Sequence, residues 1–114
     1  MAITITPGSS SISTTEFFLA SQSVTATYQT SVCHLQVTID FSAMTAGEQY
    51  RVRCYRYINS TIKTWSDETL SGVQSEPYVL FVGAVGGTTA SYEISVIKVA
   101  GTDRTIAWDL AMTA

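Results

Sequence analysis

Cys33 and His34 are neighbours in the chain, and cysteine with histidine is the pairing of a thiolate nucleophile with its base. That pairing needs hydrogen-bond contact, whereas adjacent residues of a strand point to opposite faces. The residues that follow alternate, with Leu35, Val37, Ile39 and Phe41 on one side and Gln36, Thr38 and Asp40 on the other. Cys33 therefore points inward with the apolar set, His34 points outward, and no dyad forms. One histidine and two inward cysteines also lack the spacing of a zinc site. Asp67, Glu68 and Glu76 could hold calcium from a loop, although acidic loop residues are more often simply solvated. The "GAVGG" stretch at 83–87 lacks the lysine and the following helix of a phosphate-binding loop. Asn59-Ser60-Thr61 matches the glycosylation acceptor but has no secretion signal to give it weight. The chain reads as non-enzymatic, with neither cofactor nor metal.

Another row of residues has a different use. In "QYRVRCYRYI" (49–58) Val52 and Cys54 share one face, and Arg51, Arg53, Tyr55 and Tyr57 share the other. Tyrosine and arginine are enriched at protein interfaces, each offering a large apolar body with a polar tip. The row is either a contact strip for a partner or a cover for a neighbouring face, paired across strands with Asp40 and Glu93. Cys33 and Cys54 point to the core from strands that a hairpin would place side by side, near enough for a disulfide, but a reducing cytosol keeps them buried thiols.

The elements that position these groups repeat every two residues. "LQVTIDF" (35–41) and residues 49–58 predict a hairpin with a medium loop, and "ASYEISVIKV" (90–99) with "RTIAWDLAM" (104–112) predicts another around "AGTD". "EPYVLFVGAVGG" (76–87) is a continuous apolar strand. Residues 3–6 form a short strand stopped by Pro7 and Gly8. The stretches 15–21 and 23–29 are irregular strands, with a helix capped by Thr15 as the alternative for the first. Ile62 to Trp65 make a strand followed by a polar loop. Eight or nine short strands with frequent turns predict an all-β, single-domain antiparallel β-sandwich over 1–114, jelly-roll favoured over immunoglobulin-like. Residues 2–14, carrying Ile3, Ile5 and Ile12, are either the first strand or an extended amino-terminal arm that docks on a neighbouring subunit.

Serine and threonine make up 31 of the 114 residues, charged residues only 13%, and the net charge is −3. The six cations give no basic surplus, which argues against nucleic-acid binding. No apolar run of membrane-spanning length occurs, and the opening "MAITITPGSS" has no signal-peptide character, so synthesis in a reducing cytosol is expected. Few charges and many hydroxyls suit a surface that packs on other protein.

Several stretches together resemble a known family: "TTEFFLA", "LQVTIDFSAMTAGEQYRVRCYRYI", "SGVQSEP" and "YEISVIKVAGTDRTIAWDLAM". They run as an apolar strand ending in Asp40-Phe41-Ser42, a Met44-to-Glu48 turn, an Arg-rich strand, Ser71 to Pro77, and Lys98 to Arg104 before the Trp108 strand. This is similar to the capsid decoration (cement or staple) proteins of tailed bacteriophages. The resemblance implies a protein made in the host cytoplasm that binds the exterior of the virion capsid. Its partners would be the major capsid protein and itself, as a homodimer or a trimer, and it would staple neighbouring capsomers. The contacts expected are Ile3, Ile5 and Ile12 with Arg51, Arg53, Tyr55 and Tyr57. The rival reading is a carbohydrate- or receptor-binding module of a virion tail or fibre, with Trp65 and Tyr78 as stacking platforms.

Overall fold

The computed structural model describes residues 3–59, 61–87 and 91–113. Ser60 of the glycosylation match and Ala90, the expected first residue of a strand, lie outside them. Eight strands follow in order: β1 (Ile3–Ile12), β2 (Phe17–Phe18), β3 (Cys33–Asp40), β4 (Gln49–Ile58), β5 (Thr61–Ser71), β6 (Tyr78–Val85), β7 (Tyr92–Ala100) and β8 (Arg104–Thr113). They form two four-stranded sheets, a first of order β1-β8-β3-β6 and a second of order β2-β7-β4-β5. Every pairing is antiparallel. The two sheets pack face to face as a β-sandwich, as the alternation predicts.

The core lies between them. Ile12, Leu35, Val37, Ile39, Ile106, Trp108 and Leu110 of the first sheet meet Tyr50, Val52, Cys54, Tyr92, Ile94 and Val96 of the second. Burying an aliphatic or aromatic side chain of this kind contributes about 1.5–3 kcal/mol relative to exposure. Both cysteines are buried free thiols, on opposite sheets rather than on adjacent strands. Burial, more than the nearby Glu93 charge, pushes the Cys54 thiol up to about 12, which keeps it unreactive.

Both expected hairpins are corrected. β3 pairs with β6 and β8, and β4 with β5 and β7, so residues 41–48 cross from one sheet to the other. β7 and β8 likewise lie in different sheets. Alternation fixes which face of a strand is buried, but it does not choose the neighbour. The two crossings meet each other. Glu48 is buried and accepts hydrogen bonds from the Thr45 and Thr102 N–H groups at 2.8 and 3.0 Å and from Arg104 Nη2 at 3.0 Å. Gly101, at φ +101°, makes room, because a Cβ there would sit 2.5 Å from Glu48 Cγ.

The other departures are at edges. β1 runs through Pro7 and Gly8 instead of stopping. It has β8 on one side only, so a missing N–H is tolerated. Gly8 is required by its partner: a Cβ would lie 2.5 Å from Cζ2 of Trp108. Residues 3–12 are thus hydrogen-bonded to their own sheet along their length, the first-strand alternative rather than a free arm. The expected polar loop after Trp65 is the continuation of β5, polar because it is an edge strand that stays exposed. Only Phe17 and Phe18 of 15–21 are strand, with no helix there, and 23–29 contributes only bridges at Ser23 and Gln29. No helix among the described residues is long and apolar enough to cross a membrane.

Candidate functional site

The outer face of the first sheet is where the alternation leaves side chains without a second layer. Three rows cross all four strands. Ile5, Ala111, Gln36 and Phe81 are in register, as are Ile3, Thr113, His34 and Ala84, and Pro7, Asp109, Thr38 and Val79. Asp40 and Ala107 continue the inner pair. The edge strands carry the apolar groups: Ile3 is 69% exposed, Ile5 52%, Phe81 71% and Val79 43%. Between these rails the floor is made of small and polar residues. The relief is shallow. A depression of about 280 Å³ lies among Ile3, His34, Gln36, Phe81 and Ala111, and one of about 440 Å³ among Thr38, Asp40, Ser42, Pro77 and Asp109.

No lysine or arginine stands in these rows. The charged groups are Asp40 and Asp109, on adjacent strands and one pair apart, within about 7–8 Å at the backbone. Asp40 accepts from the Ser42 N–H at 2.9 Å, which holds its carboxyl below the usual range. Among the described residues neither carboxylate has a cation within salt-bridge distance.

The outer face of the second sheet is built differently. Arg51, Arg53, Tyr55 and Tyr57 share it, as the β4 alternation requires, and all are half-buried. Arg51 grips Asp67 through two nitrogens, with Nε to Oδ1 at 2.6 Å. Arg53 reaches Asp67 at 3.7 Å and Glu16 at 3.8 Å. Tyr55 donates to Glu16 at 2.6 Å, and Ser95 donates to the same oxygen. Tyr57 stacks edge-on against Tyr28, centroids 5.7 Å apart, and Tyr55 lies 6.3 Å from Phe18. Residues 16–28 therefore cover the β7 side of this face, starting from β2 in the same sheet, whereas the β5 side, with Asp67 and Thr69, stays exposed. Under them Glu93, opposite Tyr55, is fully buried. It accepts from the Ala20 and Ser21 N–H groups at 3.0 and 3.1 Å and from the Ser21 hydroxyl. Burial without a cation pushes its carboxyl above the ordinary range. The cross-strand role expected of Glu93 is present. Asp40 has no such role, because β3 is in the other sheet.

The structure thus divides the expected contact residues. Ile3 and Ile5 sit on the bare face, Arg51, Arg53, Tyr55 and Tyr57 on the covered one, and Ile12 is fully buried in the core. Ile12 has no surface to offer a partner, because it lies at an odd spacing from Ile3 and Ile5 and so points to the inner face of β1, into the core. Sequence reasoning missed Val79, Phe81 and Asp109. The signal was present in "YVLFV": an apolar run on an edge strand has one face with nothing above it.

The groups that could have supported other chemistry are apart. His34 is exposed and Cys33 buried. Asp67 is held by Arg51 and Arg53, and among the described residues no three His, Cys, Asp or Glu side chains cluster. The Arg56 guanidinium lies 5.4 Å from the Trp65 ring centre. Tyr78 packs edge-on against Phe41 at 6.5 Å, and burial raises its hydroxyl to about 12. Comparison with protein-family models, with curated proteins and with solved structures finds no match.

Proposed function

We propose that this chain is a non-enzymatic virion assembly protein that adheres to the outside of a phage capsid and staples neighbouring capsomers. The observation that carries the reading is the bare face: apolar side chains on both edges of one sheet, exposed and with no lysine or arginine in its rows, on a domain whose other outer face is partly covered by its own chain and has its cations paired. Large exposed apolar patches on a small domain mark interaction surfaces. The face measures roughly 20 Å by 30 Å from strand spacing and rise, about 600 Å². That is somewhat under the ~800 Å² per partner of a standard interface, so the rim at Ser42 and Pro77 must also touch.

The strand order supports the jelly-roll form of the expectation. The first and last strands are neighbours, and β4–β5 is the one hydrogen-bonded pair of consecutive strands. Immunoglobulin-like sheets instead pair the first strand with the second. Stapling by such a protein is clamping without chemistry. Each copy holds two shell units by surface contact, and many copies act together. A two-fold dimer, or a trimer, would present the face to several capsomers at once. The carbohydrate-binding reading is the weaker one, since Tyr78 is half-buried beside Phe41 and Arg56 lies over the Trp65 ring.

The test is co-sedimentation of the purified protein with undecorated phage heads. Saturation at a fixed ratio to the major shell protein is the expected result. Absence of binding to any head preparation, with binding to a glycan panel, overturns the proposal.

A further inference from the structure

We infer that the outer face of the first sheet docks a polypeptide surface carrying lysine or arginine beside apolar residues, and that it is not the surface by which this chain pairs with itself. The inference builds on the assignment of that face as the contact surface and adds the chemistry of what it contacts. Charge complementarity identifies the occupant. Asp40 and Asp109 stand diagonally on β3 and β8, line the same shallow depression, and among the described residues have no salt-bridge partner. Four of the six lysines and arginines are paired with carboxylates elsewhere: Arg51 and Arg53 with Asp67 and Glu16, Lys98 with Asp103, and Arg104 with Glu48. Arg56 lies over Trp65 and reaches the β6 edge of the face, donating to the Ala84 carbonyl at 3.1 Å. Within the described rows of the face, His34 is the one basic side chain.

Two copies meeting through this face about a two-fold axis would enclose both Asp40 and both Asp109 carboxylates with no lysine or arginine between them. Like charges brought together out of water are strongly unfavourable. A partner that supplies ammonium or guanidinium groups at this depression, and aliphatic groups against Ile3, Ile5 and Phe81, satisfies both halves of the surface. Its charges also remove the cost of desolvating the two carboxylates.

The probe is a pair of alternating hexapeptides, lysine–valine and glutamate–valine, titrated into isotopically labelled full-length protein and followed by amide NMR shifts. The lysine peptide should give saturable shifts confined to residues such as Gln36, Thr38, Phe81 and Asp109. Binding should weaken at least about tenfold in the Asp40→Asn/Asp109→Asn double variant. It should also weaken as salt is raised from about 0.01 M to about 0.15 M, which shortens the screening length from ~30 to ~8 Å. Equal binding of the glutamate peptide, shifts centred on the second sheet, or no shifts with either peptide overturns the inference. So does a Phe81→Asp variant that changes the sedimentation mass of the free protein, since the face would then be a self-interface. Peptide binding without head binding would reject the capsid assignment and leave this chemistry standing. Head binding that is indifferent to the two aspartates would reject this chemistry alone.

Discussion

The two outer faces of the sandwich are made of equally regular alternating strands, yet one is tied down by its own chain and the other is bare. On the second sheet, residues 16–28 bring Glu16, Phe18 and Tyr28 onto the Arg53, Tyr55 and Tyr57 side chains. Over the first sheet none of the described residues returns, and Ile3, Ile5, Val79 and Phe81 remain in solvent. Interface-type residues can therefore serve either purpose. Arginine and tyrosine beside carboxylates of the same chain become internal structure, whereas isoleucine and phenylalanine on open edges have no such partner and are available to another molecule.

This contrast can be broken most sharply at Phe81. A Phe81→Asp or Ile5→Asp change should weaken head binding at least about 30-fold, the size of a hot-spot loss, measured by co-sedimentation. Thermal unfolding should report a stability change within about 0.5 kcal/mol, as for other exposed positions. Arg53→Ala and Tyr55→Phe should do the reverse: a loss of about 1 kcal/mol in denaturant unfolding, with head binding unchanged. If those two variants lose binding at unaltered stability, the β4 strip is the contact after all. Trp65→Ala is the smallest expected effect, with stability within about 0.5 kcal/mol and binding untouched.

The self-contained parts of the fold can also be followed along the pH axis, because Glu48 at the crossings and Glu93 under residues 20–21 are buried carboxylates of opposite character. Arg104, with the Thr45 and Thr102 N–H groups, lowers the Glu48 carboxyl from 4.5 to about 2. Its contribution is complete above the unfolded value of 4.5 and is lost as pH falls toward about 2. Glu93, raised by burial, works the other way: the folded chain holds its proton more tightly, so acidification through the raised value adds stability. Melting temperature against pH should lose its mildly acidic gain in Glu93→Gln and its strongly acidic fall in Glu48→Gln. Identical curves for both variants and the parent would mean that neither carboxylate is coupled to folding.

The alternation made the strands and their buried faces legible. Leu35 to Phe41, Tyr50 to Cys54 and Ile106 to Leu110 all point inward as their spacing predicts. What the spacing lacked was pairing. Both expected hairpins are crossings between sheets, because a turn such as residues 100–103 can reverse a strand or carry it to the other layer, and the contacts that hold the second, such as Glu48–Arg104 across 56 positions, are remote in sequence. The candidate face was half legible. Ile3 and Ile5 stood out as apolar residues on a polar strand. Phe81 did not, since exposure on an edge depends on which strand lies beyond it, and that is a property of the whole sheet.

β8 occupies the middle of the first sheet, between β1 and β3. On the ribosome it is made last of the eight strands, so β1 and β3 wait for their shared neighbour until residues 104–113 have emerged. The nascent chain cannot settle strand by strand, and its apolar strands must be shielded from other nascent chains until then. Slow translation near residue 104, or a shortage of chaperones, would reduce the yield of folded protein without touching a single contact in the finished molecule.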